Sequence, residues 1–216
     1  MIPGGNPDLT AEKGINGELT LQAKRRSYRN GFHAGGEVTY FYSRIKDMIK
    51  WLPGDFGIWS PVNLADVRSE GAEADAEAGL KLNHSVLILD ISYTYTSVTN
   101  LESTAESDDT PGMQLIYVPY HRANIGMSVN RGALYLKWTG EYTGLRYTTA
   151  DNSMSLPSHL IHNLMIGISL KKGRNAFETA LSVRNLFDRY YEQVVYYPMP
   201  GRSYTISLIY SFNGRK

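Results

Sequence analysis

The chain has 216 residues, with 22 Lys plus Arg against 21 Asp plus Glu, and a balance this near zero gives no general case for binding nucleic acid. It has no cysteine, which excludes disulfide staples, thiolate zinc sites and cysteine nucleophiles. Charged residues make up 20% and tyrosine occurs 16 times, a composition suited to sheets facing something other than water, and no run approaches the roughly 20 apolar residues of a membrane helix.

The periodicity is that of strands, in segments of about ten residues, the length of a tilted membrane strand. Leu19, Leu21 and Ala23 oppose Glu18, Thr20, Gln22 and Lys24; Val38, Tyr40 and Tyr42 oppose Glu37, Thr39 and Ser43. Ala72, Ala74, Ala76, Ala78 and Leu80 oppose Glu73, Asp75, Glu77 and Gly79. Leu87, Leu89, Ile91, Tyr93 and Tyr95 oppose Asp90, Ser92, Thr94 and Thr96. Ala123, Ile125, Met127 and Val129 then oppose Asn124, Gly126 and Ser128, and Leu134, Leu136, Trp138 and Tyr142 oppose Tyr135, Lys137, Thr139, Glu141 and Thr143. Leu164, Ile166, Ile168 and Leu170 oppose Met165, Gly167 and Ser169, and Phe177, Thr179, Leu181 and Val183 oppose Glu178, Ala180, Ser182 and Arg184. The last and clearest segment sets Tyr204, Ile206, Leu208, Tyr210 and Phe212 against Ser203, Thr205, Ser207, Ile209 and Ser211. About nine strands and no helix are expected.

Connections alternate between short ones (27–31, 83–84, 130–132, 173–175) and long ones (53–66, 99–119, 148–157, 188–201). All turns then lie at one end and all loops at the other, as in a membrane barrel with short periplasmic turns and long extracellular loops. Tyr40, Tyr42, Tyr93, Tyr95 and Tyr142 are placed for an interfacial girdle. Alternation alone also describes a soluble antiparallel sandwich or barrel, but acids such as Glu73, Asp75, Glu77, Asp90 and Glu141 suit a water-filled lumen better. The first residues carry no basic or apolar leader. Because an outer-membrane protein needs one for export, the chain is expected to be a segment of a longer protein.

Three stretches carry a family resemblance. Asn6-Pro7-Asp8-Leu9-Thr10-Ala11-Glu12 resembles the NPxLxPE lead-in to a barrel strand in TonB-dependent receptors, with Ala11 in place of the family's proline. Tyr40-Phe41-Tyr42-Ser43-Arg44-Ile45-Lys46-Asp47, followed after a loop by Asn63 and Ser69-Glu70-Gly71-Ala72-Glu73-Ala74, resembles a hairpin of the same receptors. Asn185-Leu186-Phe187-Asp188-Arg189-Tyr190-Tyr191-Glu192 with Tyr197-Pro198-Met199-Pro200-Gly201-Arg202-Ser203-Tyr204 is similar to their ending, and Val118-Pro119-Tyr120-His121 fits their VPxH approach to a strand. The resemblance implies an all-β, antiparallel transmembrane barrel, with this chain supplying about nine meandering strands of a 22-stranded whole. The N-terminal plug, the remaining strands and the TonB box are expected outside this chain.

The expected role is uptake across the Gram-negative outer membrane of a scarce, bulky nutrient (ferric siderophore, haem or cobalamin). The implied partners are outer-membrane lipid, the missing plug and strands, the TonB complex through them, and the barrel-assembly machinery. The alternative is a small self-standing outer-membrane barrel with a binding or structural role. No Walker A, dinucleotide or nucleophile-elbow motif argues for an enzyme, and no cofactor is implied. His159 and His162, three apart, fall on opposite faces of a strand rather than forming a metal pair. The acidic loop Glu102, Glu106, Asp108, Asp109 has oxygen ligands for Ca²⁺ but reads first as a solvated loop. Candidate ligand contacts are the aromatics Trp51, Phe56 and Trp59, with Ile58 beside them, and Tyr190 and Tyr191. Leu208, Tyr210 and Phe212 alternate toward a terminal aromatic as in the assembly signal, although Asn213-Gly214-Arg215-Lys216 follow it here.

Overall fold

A computed structural model describes residues 5–27, 31–53, 59–101 and 110–212. Among these the chain is all β. The strands are β1 (Lys13–Ser27), β2 (Phe32–Pro53), β3 (Trp59–Leu82), β4 (Ser85–Asn100), β5 (His121–Arg131), β6 (Leu134–Thr143), β7 (Arg146–Tyr147), β8 (Ser155–Leu156), β9 (His159–Lys172), β10 (Asn175–Arg184), β11 (Glu192–Val194), β12 (Tyr197–Pro198) and β13 (Ser203–Phe212). The nine long ones form a single antiparallel meander in the order β1-β2-β3-β4-β5-β6-β9-β10-β13, while β7–β8 and β11–β12 are small hairpins within long connections. Among the described residues the two outer strands, β1 and β13, pair on one side only, so this sheet is open.

The short connections close tightly for a local reason. Leu82 pairs with Ser85, Arg131 with Leu134, and Lys172 with Asn175, leaving two-residue turns. Such turns need a backbone with positive φ, supplied by Asn83 (50°), Gly132 (60°) and Gly173 (59°). At the other end the 53–66 loop expected from sequence is mostly strand: β2 and β3 stay paired out to Pro53 and Trp59. Alternation fades there because this extension has water on both sides, so nothing selects an apolar face.

The registers align one face into continuous apolar rows. One row runs Leu21, Val38, Ala74, Tyr93, Ala123, Tyr142, Leu160; another runs Leu87, Val129, Leu136, Ile166, Leu181, Ile206. No formally charged side chain falls within this band. Charges border it: Arg44, Glu70 and Arg68 at the loop end, Arg25, Arg131 and Lys172 at the turn end. Tyr40, Tyr95, Tyr93 and Tyr142 occupy its loop-end margin in adjacent rows. On β9 the band runs from Leu160 to Leu170, a height of about 25 Å for a tilted strand, matching the hydrocarbon-facing belt of a membrane barrel.

This face is uncovered. Leu21 is 71% exposed, Ile206 73% and Leu208 70%. Prolines apart, the buried hydrophobic set among the described residues is Val67, Leu156, Ile161 and Ala180. A water-soluble sheet of this size would enclose a core. Without one, the contiguous apolar face needs lipid, and the ladder hydrogen bonds of the strands satisfy the backbone there.

Candidate functional site

The opposite face is polar, and its side chains bond along the same registers. Thr20 and Thr39 hydroxyls meet at 2.8 Å, Gln22 Nε2 donates to Glu37 at 2.7 Å, and Asn163 Nδ2 donates to Glu141 at 2.8 Å and Thr139 at 3.1 Å. Glu73, Asp75 and Glu77 share this face on β3, with Asp90 opposite Glu77 on β4. Asp75, Glu77 and Asp90 join Lys24, His33 and Glu37 around a trough of about 890 Å³ near the turns, where His33 Nε2 lies 3.2 Å from Glu77.

Bulky side chains on this face lie over glycines of the next strand. The Tyr135 ring covers Gly167, where an added Cβ would collide with it, and passes on to donate its hydroxyl proton to Glu178 at 2.7 Å. His33 covers Gly79, Asp90 covers Gly126, and Phe41 covers Gly71 in the same way. The glycine is required because any side chain would occupy the volume of the one lying across it.

At the loop end, buried polar side chains fix the connections. Gln114 is 1% exposed; its Oε1 accepts from Val98 N–H at 2.8 Å and its Nε2 donates to Val118 O at 3.2 Å. Its backbone N–H and carbonyl bond the Asn152 amide reciprocally, each at 2.9 Å, tying the β4–β5 loop to the β7–β8 hairpin. Arg146, 4% exposed, donates to the carbonyls of Pro157 (3.3 Å) and Glu192 (3.1 Å) and faces His159 Nδ1 at 3.3 Å. Asn185, 4% exposed, exchanges bonds with the Arg189 backbone at 2.8 Å each way, and Asp188 Oδ1 accepts from Arg202 N–H at 2.7 Å. The stretch around Asn6 works likewise: Asn6 donates to Pro61 O at 2.9 Å, Thr10 N–H to Asn63 Oδ1 at 2.9 Å, and Ile49 N–H to Glu12 at 2.6 Å, clamping the leader onto β2 and β3.

The sequence-predicted contacts are only partly brought together. The Tyr191 ring packs at a 35° tilt against His159, ring centroids 4.5 Å apart, and Tyr190, 71% exposed, donates to Glu192 at 2.7 Å, a bond that raises its phenol pKa. Trp51, 47% exposed, stands on the β2 extension, toward the other edge of the sheet. Trp59 opens β3 but its side chain is outside the described set, as are Phe56, Ile58 and the Glu102–Asp109 acidic loop. Leu208, Tyr210 and Phe212 lie on the apolar face of β13, with Tyr210 donating to Asn175 at 2.8 Å. His162 packs with Trp138 and Phe187 on the apolar face while His159 lies on the polar one, so the pair is divided. Sequence reasoning missed Gln114 and Arg146, whose roles depend on contacts between distant connections and carry no local periodic signal.

The family model for the TonB dependent receptor-like beta-barrel matches residues 1–186. The iron-regulated outer membrane virulence protein of Vibrio cholerae is 27% identical over 96% of this chain and 32% of its own length. The vitamin B12 transporter BtuB of Vibrio vulnificus is 24% identical over 96% of this chain and 31% of its own. The chain thus spans about a third of the length of these curated relatives. Among solved structures, the copper transporter OprC superposes with a TM-score of 0.73 at 16% identity, over 96% of this chain and 34% of that one. The ferric preacinetobactin receptor BauA of Acinetobacter baumannii gives 0.68 at 18%, over 93% and 30%. The apolar face is therefore the lipid face and the polar face the lumen wall, and the chain belongs to the TonB-dependent receptor β-barrel family of the Gram-negative outer membrane.

Proposed function

We propose that this chain is the C-terminal wall of a receptor that takes up a scarce, bulky nutrient, a ferric chelate or cobalamin, with energy delivered through TonB. The observation that carries this is the open meander: nine strands with a charge-free lipid face, a hydrated lumen face and two unpaired edges. Unpaired edge groups cannot face hydrocarbon, so these strands need further strands to close a barrel. In this reading the other strands, a plug filling the lumen and the TonB-contacting segment come from other sequence, consistent with the third of each relative that this chain matches. Trp51, Phe56, Trp59, Tyr190 and Tyr191 are proposed extracellular contacts, and Leu208, Tyr210 and Phe212 the segment read during barrel assembly.

The test is growth of the host under iron starvation, or cobalamin dependence, with the gene deleted and a panel of ferric siderophores, haem or cobalamin supplied. Loss of use of one nutrient, restored by the intact gene only in cells with working TonB, supports uptake. Unchanged growth on every nutrient overturns it. Secreted through an export signal, the chain alone is expected to give protease-sensitive material and no heat-modifiable band on a gel. A compact, heat-modifiable band would favour a self-standing barrel.

A further inference from the structure

The cations of this chain are not spread evenly along its strands. Toward the turns, β1 carries Lys24 and Arg25, β3 carries Lys81, and β5 ends on Arg131. Lys171, Lys172 and Arg174 flank the β9–β10 turn. None of the 21 acids falls within the turn stretches 24–33, 80–86, 129–134, 170–176 or 211–216. Counting Arg26, Arg29, Arg215 and Lys216 from the sequence, half of the 22 lysines and arginines occupy those stretches. The loop end differs, because cations there are matched: Arg44 pairs with Asp66, and Arg68 with Glu70 at 3.7 Å. Among the described residues no ion pair involves a turn-end lysine or arginine, and the side chains of Arg131 and Lys172 are exposed.

Strand alternation sorts these charges between the two faces. Arg131 follows Met127 and Val129 on the lipid face of β5, and Lys172 follows Ile168 and Leu170 on that of β9. Lys81 and Lys171 fall on the lumen face. Lys172 lies two residues past Leu170, where the apolar band ends, so it stands about 5 Å beyond the hydrocarbon on a tilted strand. The headgroup layer of a bilayer is about 5–7 Å thick on each side. A lysine or arginine at that level lays its aliphatic stem against the apolar belt and holds its charge among the phosphates.

We propose that the turn-end rim is a docking surface for anionic phospholipid headgroups of the periplasm-facing leaflet, with Arg131 and Lys172 holding their phosphates from the lipid face. Two observations name this occupant. The surface continues the belt that already meets the acyl chains of the same lipids, and it carries positive charge that no carboxylate of the described residues neutralises. Short turns at the periplasmic side set the leaflet. The inference does not depend on what the receptor carries.

The test puts the purified intact receptor, with a bimane label on a single cysteine made by Leu82→Cys, into phosphatidylcholine bilayers. These contain either brominated phosphatidylglycerol or brominated phosphatidylcholine. Leu82 is 54% exposed on the lipid face and lies two ladder steps from Arg131, through Ser85. Quenching therefore reports the lipid beside that arginine. In wild type phosphatidylglycerol should be favoured about fivefold, the effect of one cation near an anionic surface. The preference should fall toward one in Arg131→Gln and in about 0.5 M NaCl, and persist in Arg131→Lys. Lys81→Gln, next to the label in sequence but on the lumen face, should leave it unchanged. Equal quenching by the two lipids in wild type, or a preference indifferent to Arg131→Gln, overturns the proposal. So does a preference lost equally in Lys81→Gln, which would mark a diffuse field rather than a contact on the lipid face. Should Arg131→Gln fail to fold, the salt series in wild type decides alone, and a preference that survives it overturns the proposal. A receptor indifferent to lipid charge, yet retained on isolated peptidoglycan through Arg131 and Lys172, would assign the rim to the cell wall and overturns it too. Because quenching is read without transport, the lipid surface and the uptake reading fail separately.

Discussion

Placing an arginine at two neighbouring positions on β9 separates the faces of the sheet. Ile166 lies in the band that runs from Leu160 to Leu170, one residue from its centre, so about 2–3 Å from the bilayer midplane. It is 47% exposed, with Leu136 and Leu181 across the ladder. Arginine on the lipid face near the midplane costs about 2–4 kcal/mol in barrel proteins. Met165, the residue before it, faces the lumen opposite Lys137 and Ser182. There Met165→Arg should change stability by about 0.5 kcal/mol or less, as expected of a hydrated surface. Leu170→Arg, at the turn-end margin beside Lys172, should fall to about 0–1 kcal/mol. The assay is reversible urea unfolding of the intact receptor in thin phosphatidylcholine bilayers, followed by tryptophan emission. If Ile166→Arg and Met165→Arg cost the same, or Met165→Arg cost more, the lipid face has been misassigned and the membrane argument fails with it.

Other perturbations probe the lumen and the loops. Gly167→Ala should displace the Tyr135 ring and break its bond to Glu178, costing about 1–3 kcal/mol; with Tyr135→Ala in the background the part due to the ring should vanish in a double-mutant cycle, leaving the strain of the new Cβ against the Thr179 backbone oxygen. Gln114→Ala leaves the half-buried Val98 N–H and Val118 O without the Gln114 side chain, and should both destabilise by about 1–3 kcal/mol and open the β4–β5 loop to protease, read by limited proteolysis. Asn152→Ala should expose the same loop through the lost Gln114 bonds; protection equal to wild type would show that the two connections are not coupled. The Thr149 side chain above all, and then the backbone N–H (3.1 Å) and hydroxyl (2.8 Å) of Ser153, hold the Asp151 carboxyl below its ordinary pKa. Bonds that favour the carboxylate are lost as pH falls through that lowered value, so the turn's NMR shifts should stay constant from neutral pH down past the usual aspartate range.

The membrane-facing part of this fold is legible residue by residue because lipid and lumen demand opposite chemistry at every second position. Leu87 to Tyr95 on β4 and Tyr204 to Phe212 on β13 announce their strands for that reason. The logic lapses where the wall leaves the bilayer: Pro53 and residues 59–66 pair as strand although the sequence reads 53–66 as a loop, since no face there has to be apolar. The site was less legible still. Tyr191 was accessible as an aromatic in a long connection, but its partner His159 is 32 positions away in sequence and met only through the fold. Arg146 gives no sequence signal separating it from the other arginines. What distinguishes it is enclosure by Pro157, His159 and Glu192, which only the assembled connections create.

The unequal strand lengths have a mechanical consequence. β2 and β3 run 22 and 24 residues, against 10 for β6. With the turns level at the periplasmic side, the surplus of about a dozen residues carries the β2–β3 hairpin roughly 30 Å further outward. Apart from a break at Asp47 its ladder continues through that length, and the Asn6, Asn63 and Glu12 bonds brace its flank, so it stands as a stiff blade. Along the described wall the rim is consequently uneven, a high parapet at β2 and β3 and a low sill at β6.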